Sequence, residues 1–179
     1  MPRLRVLPGE IRSTLPLEKG ERVLASARTA DGAYLVASTL ALYLPAGGES
    51  EHERLGWESI EHAEWDKEDE RLRITPIAPF GERIEHRTFG LSDESDANHW
   101  QIDRLLTVVR ERITASVVID RRVPIDQEHA VRVVARRKPV PDAELTWMVE
   151  LDPGLSASDP QVVDAANQAL AQVRSEIAM

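Results

Sequence analysis

The side chains best suited to chemistry lie in one short run. His62, Glu64 and Asp66 alternate along the chain, so on a β-strand all three project from one face, where His86, two strands further on, could join them. Imidazole nitrogens and carboxylate oxygens are the donors of a zinc centre, but a fourth defined ligand is missing. The opposite face of the same strand carries Ala63 and Trp65, so the His62 face reads first as the one turned to water. His86 shares a face with Ile84 and reads as a hydrogen-bonded, partly buried histidine. His52, His99 and His129 have no acid or nucleophile at a telling spacing. The stretch from Glu49 to Glu70 holds ten carboxylates against Arg54 and Lys67, yet a strand period scatters them. A glycosidase would need two of them held at a set distance in a cleft, so a solvated face is the reading. No P-loop, GxGxxG, GxSxG or HExxH string is present, which removes the motifs with a known phosphate, hydrolase or zinc geometry. The sequence therefore predicts no catalytic residue, no cofactor and no metal. A metal-dependent enzyme, resting on His62, Glu64 and His86, is the least supported reading.

A second group suggests binding. Arg121, Arg122, Arg132, Arg136, Arg137 and Lys138 would converge if Val117–Ile125 and His129–Arg137 paired as a hairpin, and such a patch could hold a phosphate-bearing or other anionic ligand. Charge is distributed unevenly. Residues 1–103 carry 12 basic and 20 acidic groups, 104–138 carry 9 and 4, and 139–179 carry 1 and 7, which gives −8, +5 and −6 and sums to the chain's −9. A basic middle between acidic flanks marks either an anion-binding surface or two parts of one protein that attract each other, here 104–138 and 49–70. The low isoelectric point and the lack of interleaved aromatics between 101 and 146 argue against nucleic acid. Two tryptophans complete the inventory. Trp147 alternates with Leu145, Val149 and Leu151 and belongs to a core. Trp100 falls on the polar side of its helix with Arg104, Thr107 and Glu111, so it either packs under the C-terminal segment or joins a partner surface.

These residues must be positioned by an α+β scaffold. Arg22–Thr29 and Tyr34–Thr39 flank Asp31-Gly32, a strong hairpin signal because both turn residues tolerate positive φ. Leu40–Leu44, His52–Trp57, Ile60–Trp65, Arg71–Ile77 and Glu82–Phe89 follow as short strands, giving about seven without an intervening helix. From about Ser95 to Ile113 the period changes: Ile102, Leu105, Leu106, Val109 and Ile113 form a helical stripe, with Asp93, Glu94 and Asp96 at the end where the helix dipole favours carboxylates. Beyond it, 114–120 is readable as helix or strand. His129–Arg137 and Glu144–Leu151 alternate as strands. Asp159, Pro160 and the stripe Val162, Ala166, Leu170, Val173 and Ile177 predict a terminal helix. The expected organisation is a loop with a short helix over 1–17, a first domain over 18–113, and a β-β-β-α segment over 114–179.

Seven short strands closed by one helix, with the run Trp100-Gln101-Ile102-Asp103-Arg104-Leu105-Leu106 in that helix, resembles the pleckstrin-homology-like superfold, including its GRAM and bacterial PH variants. The resemblance covers residues 18–113 and implies an antiparallel β-sandwich or barrel of about seven strands. The whole chain is similar to bacterial proteins with a GRAM/PH-like front and a short α+β tail. The departure is in the first hairpin, where phosphoinositide-binding members carry several Lys or Arg. Here Arg28 stands alone between Val23 and Thr39, so peripheral membrane binding is not expected.

Composition agrees with a globular chain: 42% hydrophobic, 30% charged and without cysteine, which excludes disulfides and thiolate chemistry. No apolar run approaches a membrane span and the N-terminus lacks a signal-peptide core, so a cytoplasmic protein is expected. The leading functional expectation is a non-enzymatic protein-interaction module whose partner is another protein or a second copy of itself. Its expected contact residues are Trp100, Arg121, Arg122, Arg132, Arg136 and Arg137.

Overall fold

A computed structural model describes residues 7–48, 51–91 and 96–178. Among these the chain forms ten strands in three antiparallel sheets, with three α-helices, in the mixed α+β class expected. It divides into two compact units, one of residues 1–76 and 85–115 and one of 77–84 and 116–179. The second unit thus takes in 77–84, which the sequence reading places inside the first domain.

The first unit opens with the short helix α1 (Gly9–Thr14) and then strands β1 (Val23–Arg28), β2 (Tyr34–Ser38), β3 (Ala41–Pro45) and β4 (His52–Gly56), paired in that order. The Asp31-Gly32 turn joins β1 to β2 as expected, with Gly32 at φ +90°. A 3₁₀ turn at Trp57–Ser59 leads into β5 (Ile60–Asp66), β6 (Arg71–Pro76) and β7 (Arg87–Gly90), a second sheet in the order β5-β6-β7. The long helix α2 (Asp96–Ser116) completes the unit. The expected carboxylates Asp93 and Glu94 lie outside the described residues, as does the side chain of Asp96.

Alternation within the strands explains the main core. Leu35, Ala37, Leu42 and Leu44 from one sheet and Ile60, Leu72 and Ile74 from the other are buried together with Ile102, Leu105, Val108, Val109 and Ile113 of α2. A strand offers every second side chain to one face and a helix every third or fourth, and here both periods meet on one core. A smaller cluster lies on the outer side of the first sheet, where Leu7 and Leu15 cover Val36, Ala41 and Tyr43.

The seventh strand differs from expectation. It runs from Arg87 to Gly90 rather than from Glu82, because Gly81 takes φ +84° and Glu82 N–H closes a turn on Pro79 C=O at 3.0 Å. Residues 82–86 therefore approach β6 as irregular chain.

In the second unit the ambiguous stretch divides cleanly: α2 runs to Ser116 and β8 (Val117–Pro124) starts at the next residue. Strands β9 (Ala130–Arg137) and β10 (Leu145–Leu151) follow, in the sheet order β10-β9-β8. Helix α3 (Pro160–Ile177) is capped by Asp159, whose carboxylate accepts from Gln161 N–H, with Pro160 in the first turn. Its Ala166, Ala169 and Val173 bury against Val131 and Val133. Ile177, expected in this stripe, is instead exposed, at the last residue of the helix.

Candidate functional site

The first unit has a cavity of about 260 Å³ between α2 and the β5 side of the second sheet. It is lined by His62, Ala63 and Trp65 of β5, Leu72 of β6, and Leu106, Val109, Arg110, Ile113 and Thr114 of α2. Its location follows from strand geometry. His62 faces water while Ala63 and Trp65 turn toward the core, so a cavity lined by all three must reach round the edge of β5. Among the described residues that edge carries no neighbouring strand, because β5 pairs only with β6. On the helix, Leu106, Val109 and Ile113 supply an apolar wall, and exposed Arg110 and Thr114 supply a polar rim.

Next to this rim two imidazoles share one hydroxyl. His62 Nε2 lies 3.4 Å and His86 Nδ1 3.1 Å from Thr75 Oγ1. The hydroxyl has a single proton to give, so it donates to one ring and accepts from the other or stays with one. Glu64 Oε1 lies 3.6 Å from His62 Nε2 and Glu61 Oε1 3.9 Å from Nδ1. Among the described residues no three His, Asp or Glu side chains converge as metal ligands do. Asp66 instead accepts from Glu68 and Asp69 N–H, at 2.9 and 3.1 Å, and closes the turn after β5. His86 is hydrogen-bonded but exposed, beside exposed Ile84, because residues 82–86 are not part of the sheet.

The arginines belong to the second unit, where β8 and β9 do pair as an antiparallel hairpin. Their side chains divide between its two faces. Arg121 lies opposite Val133, on the side where α3 packs, and Arg137 follows the same alternation. Arg122, Arg132 and Arg136 occupy the other side. Arg132 donates to both oxygens of Asp120, at 2.8 and 2.6 Å, and to Glu150 at 3.0 Å. Arg122 donates to Asp152 at 2.6 Å. The bond from Arg132 holds the Asp120 carboxyl below the usual range, and the same bond raises the guanidinium of Arg132. Arg136 is only 6% exposed and gives Nη1–H to Ser116 Oγ at 2.9 Å. The carboxylates that meet Arg122 and Arg132 come from their own sheet and from the residue that follows β10.

Trp100 stands in the first turns of α2 and is 57% exposed. Ten residues at about 1.5 Å rise separate it from Arg110, roughly 15 Å along the axis, so it lies apart from the cavity rim. Trp147 packs on the core of its unit, with the Arg174 guanidinium 5.2 Å from its ring centroid, a cation–π distance. Sequence reasoning singled out His62 and missed Trp65, Leu106, Arg110 and Thr114 as a group. The available signal was the spacing Leu106, Arg110 and Thr114, which places two polar side chains on the border of the apolar stripe.

No helix among the described residues is long and apolar enough to cross a membrane. Compared with models of protein families, with curated proteins and with solved structures, the chain matches none.

Proposed function

We propose that this protein is a protein-interaction module, built in its first part as a PH-like sandwich, that holds an extended peptide segment of a partner along β5 with one bulky apolar side chain in the cavity beneath α2. Four strands, then three, then one closing helix over a shared core support the PH-like reading. The observation that carries the function is the coincidence of a strand edge without a neighbour and an apolar cavity that wraps round it. A free edge offers backbone donors and acceptors in register for an added strand, and an adjoining pocket selects its side chain. The volume favours this occupant: about 260 Å³ is below the roughly 300–1,000 Å³ typical of small-molecule pockets.

The experiment is selection of a random dodecapeptide phage library on the intact protein. The selected peptides are expected to share one large apolar residue and to bind with micromolar Kd. They should slow amide exchange in 61–66 and lose at least tenfold in affinity with Thr114→Trp, which fills the cavity from its rim. Peptides that protect other amides and are indifferent to Thr114→Trp, or a selection that enriches nothing, would remove the proposal.

A further inference from the structure

Sheet edges invite pairing with another chain, and folded proteins guard them with charges, prolines, bulges or shortness. Most edges here carry such a guard. β1 has a register shift between Val23 and Ala25, β4 presents His52, Glu53 and Arg54, and β7 is four residues long. On β5 the register shift between Ile60 and His62 confines an added strand to 62–66, the stretch assigned above to the partner peptide. β8 presents Asp120, Arg121 and Arg122 and ends on Pro124.

β10 is different. Its seven residues, Leu-Thr-Trp-Met-Val-Glu-Leu, pair with β9 in unbroken register from Leu145↔Arg137 to Leu151↔Val131. It contains no proline, lysine or arginine, and its single carboxylate, Glu150, is already held by Arg132. Among the described residues its other edge has no strand beside it in the sheet.

The sequence of β10 also names its partner. In an isologous two-fold pairing, residue i faces j and j faces i, and opposed residues share a sheet face only when i and j have the same parity. Centred on Met148, the register sets Met148 on Met148, Trp147 on Val149, Thr146 on Glu150 and Leu145 on Leu151, with no like charges opposed. The same exercise on β8 about Arg121 opposes two arginines, and about Asp120 opposes two aspartates. We infer that a second copy of this chain adds to β10 in antiparallel register about Met148, joining two three-stranded sheets into one of six strands. This inference does not rest on the β5 groove.

Sedimentation and crosslinking test it on the full chain. A monomer of 20.0 kDa is expected to run as a dimer of about twice that mass at tens of micromolar. The protein has no cysteine, so Met148→Cys introduces a single thiol that meets its symmetry mate within disulfide reach, a Cα separation of about 4.4–6.8 Å. Thr146→Cys places its thiols four residues out of register, about 13 Å apart. Mild oxidation should therefore crosslink Met148→Cys and leave Thr146→Cys monomeric on a denaturing gel.

Position 146 gives a second readout that does not depend on Met148→Cys folding. Thr146 lies beside Arg136 on β9 and, in the dimer, opposite Glu150 of the other copy. Thr146→Glu should leave the protomer folded and weaken the dimer about tenfold through two like-charge pairs, while Thr146→Lys should tighten it. A monomer throughout the concentration range, equal crosslinking at 146 and 148, or a dimer indifferent to the sign of charge at 146 would each overturn the inference.

Discussion

Replacing Tyr43 by phenylalanine removes one hydroxyl, 3.0 Å from Glu21 Oε1 and 3.4 Å from Pro16 C=O, from a buried polar cluster of the first unit. The carboxylate of Glu21 is enclosed there and receives the Ser38 hydroxyl, Glu18 N–H at 2.7 Å and the Tyr43 hydroxyl at 3.0 Å. Arg54 Nη2 stands 4.0 Å away and 2.9 Å from Glu18. Tyr43 is fully buried, so Tyr43→Phe keeps the ring's packing and removes only the hydroxyl. A hydrogen bond to an ionised group is worth about 1.5–3 kcal/mol, and Glu21 retains two donors, so the expected loss is about 2 kcal/mol. Urea unfolding followed by tryptophan fluorescence reads it.

The pH dependence supplies the sharper test. Burial, and then the Glu21 carboxylate that accepts its proton, push the Tyr43 phenol up to about 12. In the unfolded chain it ionises near 10. Between these values the unfolded state has released a proton that the folded state keeps, so stability falls with rising pH. Tyr43's contribution is complete below about pH 10 and disappears as pH climbs through about 12, and the phenylalanine variant lacks it throughout. The gap between the two proteins should therefore be constant from pH 7 to 9 and close above 10. A gap under about 0.5 kcal/mol at pH 8, or one that stays parallel to pH 12, would show that the hydroxyl does not serve Glu21.

Neighbouring arginines should respond differently. Arg136→Ala, which strips a buried guanidinium from Ser116, should cost about 2–4 kcal/mol in urea unfolding, whereas Arg137→Ala, which removes an exposed side chain, should stay within about 0.5. Asp120 has its carboxyl lowered, first by the bond from Arg132, so its contribution is present above the unfolded carboxylate range near pH 4 and is lost as pH falls through its lower folded value. Asp120→Asn should accordingly flatten the acid limb of a pH–stability curve, and an unchanged limb would refute the pairing. Acrylamide should quench one tryptophan component strongly, and Trp100→Phe should remove it. If the accessible component persists in that variant, Trp100 is covered in solution.

The strands and helices were legible because each has one buried face. Turn signals and period-2 alternation located the strands to within a few residues apart from two starts: that of β8, where 114–120 is readable as helix or strand, and that of β7, where Glu82, Ile84 and His86 alternate as a strand would while Gly81 turns the chain out of the ladder. The groove was legible only in fragments. His62 and Trp65 attract attention as residue types, but what makes them a site is the absence of a strand beside β5, and an absence of pairing has no local signature. The division of the arginines was hidden for a related reason: strand alternation places Arg121 opposite in face to Arg122 and Arg132, and cross-strand acids such as Asp120 and Glu150 are distant in sequence from the residues they meet.

The same alternation gives the charged run of β8 a reason that needs no ligand. Asp120, Arg121 and Arg122 sit on a strand edge, so they must either meet a partner or repel one. Arg132 and Asp152 satisfy Asp120 and Arg122 from within the unit, and Arg121 remains as a charge that any strand laid along β8 would have to desolvate or displace. At the other end of the sheet β10 carries no such obstacle. A sheet guarded on one side and open on the other accepts one neighbour and then stops, because pairing through β10 leaves two β8 edges outermost, each bearing Asp120, Arg121, Arg122 and Pro124. Charge at one edge and its lack at the other thus define a closed pair of chains rather than a growing ribbon.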